Sequence, residues 1–240
     1  MIFNPKNKKL NLVFTSAGDN TKFYKNWLDK NRNFNLMVVY YGNEKNKYKN
    51  DCDYYYQRKG SKFQNLKSVY NQYKFIFEQY EYFFILDDDI LINTKQINKL
   101  FQIIKKYDLW ILGPSFKHPS KISHDITKKV ENNFLRYTNF VEVNVPLFSQ
   151  YAFHKYMKYY NPILVGYGVD YHYIWILGIN KKDKYAICDS ISCINPITKI
   201  RSINLLQNFN IRVRTWYKFM LENKIKINKH LVYKLLKYDQ

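Results

Sequence analysis

Glycine is scarce. The 240-residue chain has only 7, and they form neither a G-x-G-x-x-G nor a G-x-x-x-x-G-K-[ST] sequence. That excludes the two common phosphate-cradling loops, so a bound nucleotide diphosphate must be held by a metal and basic side chains. The lack of a G-x-S-x-G elbow removes a Ser-His-Asp hydrolase of that type. Cysteine is equally sparse: Cys52, Cys188 and Cys193 are an odd number without a repeating framework, which argues against a disulfide scaffold and for a reducing compartment. Cys188 and Cys193 lack the partners of a structural zinc site, and His118, His124, His154, His172 and His230 show no metal-ligand spacing. No apolar run approaches the roughly 18 residues of a membrane span. The polar, basic start from Met1 to Leu10 has no signal-peptide core. A soluble, cytoplasmic protein is expected.

Acidic residues are also few, 19 against 39 Lys and Arg, leaving a formal charge of +20. Such a field attracts nucleic acid, anionic lipid or a nucleotide diphosphate alike. The bias towards Lys, Asn, Ile and Tyr runs through the whole chain, as an AT-rich microbial or viral genome would produce. Hydrophobic residues make up 46%, with 24 Tyr and 17 Phe, which is ample for the core of one α/β domain.

The segments Asn11 to Ser16, Leu36 to Tyr41 and Asp53 to Gln57 read as strands, and a helix is expected from near Lys22. Leu66 to Phe77 is helical in period. Tyr82 to Leu86 is an apolar strand that stops at Asp87, Asp88 and Asp89. A helix over Thr94 to Lys105 and a strand over Leu109 to Leu112 complete a β-α-β alternation. That pattern implies an open, largely parallel sheet with ligands beyond the carboxyl ends of its strands. The site is thus expected near Gly18, Asp19 and Asp87 to Asp89. Further on, the pattern suggests a strand at Phe140 to Val145, helices at Gln150 to Tyr159 and Asp170 to Leu177, and a last strand at Tyr185 to Asp189. Residues 1–202 are read as the catalytic domain. Residues 203–240 are read as a basic extension of two helices, either a structural brace or a docking surface, with its apolar residues favouring the brace.

In an extended chain Asp87 and Asp89 face one side and Asp88 the other, so two hard oxygen ligands converge as Mg²⁺ or Mn²⁺ requires. The plain alternative is a solvated acidic loop, against which the Phe83-Phe84-Ile85-Leu86 run anchors the segment in the core. Lys62 is a candidate for the diphosphate, or one member of a solvated charge run. Asp170, just after Gly166-Tyr167-Gly168-Val169, is a helix cap or a catalytic base. Glu142, between Val141 and Val143, is expected to be paired or functional.

Ten ordered stretches then resemble the family of domain of unknown function 707, whose members look like glycosyltransferases of the A fold. They are Thr15-Ser16-Ala17-Gly18-Asp19, Asn26-Trp27-Leu28, Val39-Tyr40-Tyr41-Gly42, Asp53-Tyr54, Gly60-Ser61-Lys62-Phe63, Phe84 to Ile90, Leu135 to Glu142, Pro146 to Ser149, Gly166 to Asp170 and Ala186 to Asp189. The resemblance implies a nucleotide-binding half that ends in the aspartate metal motif and draws on Thr15, Gly18, Asp19, Asp53 and Lys62. It also implies an acceptor half carrying R-Y-T-N-F-V-E and G-Y-G-V-D. One departure stands out: family members carry a His shortly after the last strand's Asp, where this chain has Cys193-Ile194-Asn195-Pro196. Asn195 thus stands nearest the place of a third metal ligand.

The resulting expectation is a glycosyltransferase A-like α/β sheet flanked by helices. Its donor is a nucleoside-diphosphate sugar on a metal held by Asp87 and Asp89, with Asp88 contacting ribose or sugar. A glycan or other hydroxyl is the acceptor, with Asp170 as first and Glu142 as second candidate base. The alternatives are a basic nucleic-acid-binding protein, and a degenerate transferase that binds a nucleotide sugar without turnover.

Overall fold

A computed structural model describes residues 2–3, 8–21, 23–197 and 203–238. The expected helix start at Lys22 and the expected boundary at residues 202 and 203 fall on or beside positions outside the described residues. In chain order the strands are β1 (Ile2–Phe3), β2 (Asn11–Ala17), β3 (Phe34–Tyr40), β4 (Tyr54–Gln57), β5 (Tyr82–Asp87), β6 (Ile111–Phe116), β7 (Asn133–Thr138), β8 (Leu147–Ser149), β9 (Tyr185–Cys193) and β10 (Val232–Lys237). The helices are α1 (Phe23–Asn26), α2 (Lys62–Gln72), α3 (Lys74–Phe77), α4 (Thr94–Lys106), α5 (Gln150–Tyr159), α6 (Val169–Leu177), α7 (Ile203–Leu206) and α8 (Phe209–Glu222).

One sheet runs in the order β1-β4-β3-β2-β5-β8-β6-β9-β7-β10. Strands β4, β3, β2 and β5 are mutually parallel, whereas β8 is antiparallel to both β5 and β6. Strands β2, β3 and β5 are mostly apolar because both faces are covered. Alternate residues feed two cores: Leu12, Phe14, Met37, Val39, Phe83 and Ile85 pack with α2, α5 and α6, while Val13, Leu36, Val38, Phe84 and Leu86 pack with α4. The glycosyltransferase A-like α/β class expected from the sequence is the class observed.

Local signals start the helices. Asn93 accepts the Gln96 N–H while the Gln96 side chain accepts the Asn93 N–H, so both orphan donors at the start of α4 are satisfied. The Gln64 side chain likewise accepts the Ser61 N–H at α2, which fixes the first-turn residue Lys62 beneath the end of β5.

Two expectations are corrected. The apolar run Phe140 to Val145 is not a strand. The strand lies just before it, at β7, and 140–146 is an irregular loop whose Asn144 and Pro146 carbonyls accept the Asp87 and Ile85 N–H groups. The second expected helix after 203 is instead β10, which pairs antiparallel with β7 and closes that edge of the sheet. Its Lys and Leu spacing fits either period, and the open edge of β7 selects the strand.

Candidate functional site

The donor-side residues gather at the carboxyl ends of β2 and β5. Ser16 pairs with Asp87 across these strands, so Gly18 and Asp19 emerge beside the aspartates. The Gly18 N–H donates to Asp88 Oδ2 at 2.8 Å, and the Thr21 hydroxyl donates to the Asp88 carbonyl at 2.8 Å. A Cβ on Gly18 would lie 2.5 Å from the Tyr41 hydroxyl, so the close approach needs glycine. Thr15 is fully buried with its hydroxyl on the Leu86 carbonyl at 3.0 Å, where it staples β2 to β5.

Burial, reinforced by the neighbouring carboxylates, pushes Asp88 up to about 7, and the Gly18 N–H pulls against that rise. Burial and the charge of Asp87 push Asp89 up to about 6. The counter-charge comes from Lys62. Its ammonium pairs with Asp87 Oδ1 at 2.7 Å and donates to the Val143 carbonyl at 2.7 Å, with the Asn144 and Ile85 carbonyls at 3.2 and 3.3 Å. Burial draws the Lys62 pKa down, while Asp87 works to hold the charge. Lys62 is therefore a buried bridge between β5 and the 142–146 loop, rather than a member of a solvated charge run.

Asp19 is half-exposed. It accepts from the Tyr40 hydroxyl, which lowers its pKa, and faces Lys47 at 3.6 Å. The Tyr48 hydroxyl donates to the Asp19 carbonyl, and Tyr48 stacks on Tyr24 with ring centroids 5.9 Å apart. Asp53 lies elsewhere. It opposes Leu36, four positions before the carboxyl end of β3 and roughly 13 Å from it at strand rise. Its carboxylate accepts the Leu36 N–H at 2.7 Å and pairs with Arg32 at 3.1 Å. Asp53 locks the start of β4 and does not join the aspartate cluster.

Asn195 follows Ile194, which bridges to Leu91, so the end of β9 does run beside the aspartate loop. Its side-chain amide donates to the Lys121 carbonyl at 3.2 Å. Among the described residues, no three or more His, Cys, Asp or Glu side chains are set together to hold a metal ion. The oxygen chemistry nevertheless suits one: Asp87 and Asp89 are hard carboxylate donors, neither fully enclosed, and Asp89 is held up by burial and then by the charge of Asp87, both of which a divalent cation would offset.

The second acidic group lies near the first. Asp170 sits in the first turn of α6 after Gly168, whose left-handed φ of 80° and close packing under Trp216 both demand glycine. Its Oδ1 accepts the Tyr171 N–H at 3.0 Å, and its Oδ2 lies 3.7 Å from His124 Nε2. Burial pushes Asp170 up to about 7. Glu142, 3% exposed, is pushed up to about 8 by burial, then by the charge of Asp170 and, more weakly, of Asp87. Its Oε1 accepts from Asn144 at 3.3 Å, and the neighbouring Thr127 and Ser123 side chains pull against the rise. The Thr127 hydroxyl also reaches the His124 carbonyl at 2.7 Å.

Sequence reasoning missed two histidines here. His124 and His230 have ring centroids 5.2 Å apart and both lie on Phe140, and burial with the His230 charge holds His124 down at about 4. Arg136 of the R-Y-T-N-F-V-E segment has a structural part. It pairs with buried Asp189 at 2.7 Å and donates to the Ile126 and Lys128 carbonyls, fastening the loop that carries His124. Residues so far apart in the chain left no spacing that would have revealed this.

The profile of the family described as protein of unknown function (DUF707) matches residues 6–138, more than half of the chain. The chain belongs to that family. The matched span holds the aspartate cluster and Lys62, and the DUF707 chain places Glu142 and Asp170 beyond it. Among solved structures the fold is shared with S. aureus TarS. TarS 1–349 in complex with UDP-GlcNAc aligns with a TM-score of 0.59 at 10% identity, over 89% of this chain and 67% of that one. The same fragment in complex with UDP gives 0.55 at 10% identity over 92% and 67%. A longer TarS chain gives 0.55 at 11% identity over 79% of this chain, which spans only 37% of that protein. Identities this low show the fold alone. No curated protein matches the chain, and no helix among the described residues is long and apolar enough to cross a membrane.

Proposed function

We propose that the chain is a glycosyltransferase that moves a sugar from a nucleoside-diphosphate sugar to an acceptor hydroxyl. One observation carries this reading. Two acidic groups lie near each other at the carboxyl edge of the sheet: Lys62 ties Asp87 to the loop that carries Glu142, and Glu142 feels the charges of Asp170 and Asp87. Solved structures with the same fold hold UDP or UDP-GlcNAc.

In this reading Asp88, fixed by Gly18, contacts the ribose or sugar, and Asp19 with its tyrosines borders the nucleotide. Asp87 and Asp89, with Asn195 nearest a third position, would hold Mn²⁺ or Mg²⁺, which supplies positive charge against the departing diphosphate. Asp170, with a pKa of about 7, is partly ionised at neutral pH and takes the proton of the attacking hydroxyl. Glu142, at about 8, keeps its proton and donates a hydrogen bond to that hydroxyl or to Asp170.

The test is thermal stability with a panel of nucleoside diphosphates and their sugars, each with and without Mn²⁺. Saturation at about a hundredfold over Kd should add about 2.7 kcal/mol, or roughly 5–10 °C. The Asp87→Ala, Asp89→Ala protein should lose the metal-dependent part. Asp170→Asn should keep donor binding and lose turnover; unchanged turnover removes it as base. Metal-dependent binding without donor hydrolysis or transfer would favour a degenerate transferase. Salt-sensitive nucleic-acid binding that survives loss of both aspartates, with no nucleotide shift, would overturn the reading.

A further inference from the structure

Among the described residues, eleven of the twenty large hydrophobic side chains left exposed fall within residues 203–238. The same stretch carries eight Lys and Arg against one acid, Glu222. On α8 the inward face is Arg212 and Trp216. Ile211, Arg214, Lys218 and Leu221, spaced three and four apart, form one outward stripe in which an apolar residue stands at each end of a basic pair. Leu221 is 74% exposed, and on the preceding turn Leu205 is 82% exposed with Leu206 beside it.

The other side of α7 and α8 packs on the turn that carries Asp170. Gly166 lies against Ile203, Phe209 meets the Tyr167 ring at 5.7 Å, and Trp216 covers Gly168. The chemistry of the outward stripe narrows the occupant. A second copy would bring its own +20 charge against the same sign. Leucine and isoleucine at the tip neither stack on bases nor bond to them, which disfavours nucleic acid. Apolar side chains flanked by cations are what an interfacial helix presents to acyl chains beneath anionic headgroups.

We propose that α7 and the outward stripe of α8 dock on an anionic lipid surface. This goes beyond the transferase reading and does not depend on it. The experiment is co-sedimentation of the full chain with vesicles of phosphatidylglycerol and phosphatidylcholine, against phosphatidylcholine alone. Wild-type protein should bind the anionic vesicles and be released by high salt. Leu205→Ser, Leu206→Ser, Leu221→Ser should weaken binding about tenfold or more. Arg214→Gln, Lys218→Gln should weaken it about tenfold at low salt, with less effect at high salt. These positions are exposed, so melting temperatures should match wild type and exclude misfolding as the cause. No binding to anionic vesicles, or equal binding by both variants, would overturn the proposal. So would a dimer, by light scattering, that the apolar variant alone dissolves, since the patch would then be covered by a second copy.

Discussion

The two acidic groups of the site meet their charge in different ways. Asp87, Asp88 and Asp89 are consecutive, partly open to solvent, and share one ammonium, that of Lys62. Glu142 and Asp170 come from a loop and a helix, are nearly sealed from water, and have beside them His124, which burial keeps neutral. The first group is open enough to solvent to admit a cation. The second is built to hold protons and let them go near neutral pH. An enzyme that binds a diphosphate at one end of a cleft and deprotonates a hydroxyl at the other needs that division.

The comparison breaks most visibly at Lys62. Lys62→Met strands the Asp87 charge and three backbone carbonyls, and should cost about 3 kcal/mol of stability, read from the urea midpoint. A loss under about 1 kcal/mol would mean that Lys62 does not bridge the two groups.

Titration separates the groups next. Asp170 and Glu142 are pushed up from their ordinary values to about 7 and about 8, so the folded chain keeps their protons after the unfolded chain has lost them. Their favourable protonation is fully present below about pH 4, and stability falls as pH rises towards about 8. Glu142→Gln, Asp170→Asn should flatten that fall by on the order of 3 kcal/mol across the window. The residual slope sums Asp88 and Asp89, which are also pushed up, and buried histidines such as His124 and His172, which burial holds down and which act in the opposite direction. Thermal melts in steps from pH 4 to 9 would show it, and an unchanged slope would remove the buried pair as its source.

The smallest effect concerns Asp53. Asp53→Asn should cost about 1 kcal/mol through the weakened Arg32 pair and leave any nucleotide-dependent thermal shift intact, whereas Asp88→Asn should reduce that shift. A nucleotide shift lost in Asp53→Asn would bring Asp53 back into the donor site.

Strand β5 and its aspartates were legible because a continuous apolar run that ends in charge has few readings. The run Phe140 to Val145 misled for the same reason. Burial in a loop and burial in a strand leave the same apolar signature, and only the pairing of β7 separates them. The strand β10 read as helix because Lys and Leu suit both periods until an open edge is present. Lys62 looked like one more exposed cation in a Lys-rich chain, since its carbonyl partners lie 81 and 82 residues away. Asp53 illustrates the reverse. The family resemblance suggested the donor site for it, and the register of β3 and β4 sets it apart from the aspartate cluster.

What the sequence determined alone was local: apolar strands alternating with amphipathic helices, capped helix starts, a cluster of carboxylates at one strand end, and a surplus of positive charge. Each follows from side-chain chemistry within a window of a few turns. Tertiary structure decided which carboxylates come near one another, that Lys62 is spent on Asp87, and that His124 stands beside Asp170 with His230 next to it. Those outcomes depend on burial and on distances between residues far apart in the chain. Desolvation and Coulomb energies respond to such distances, and no spacing along the chain encodes them.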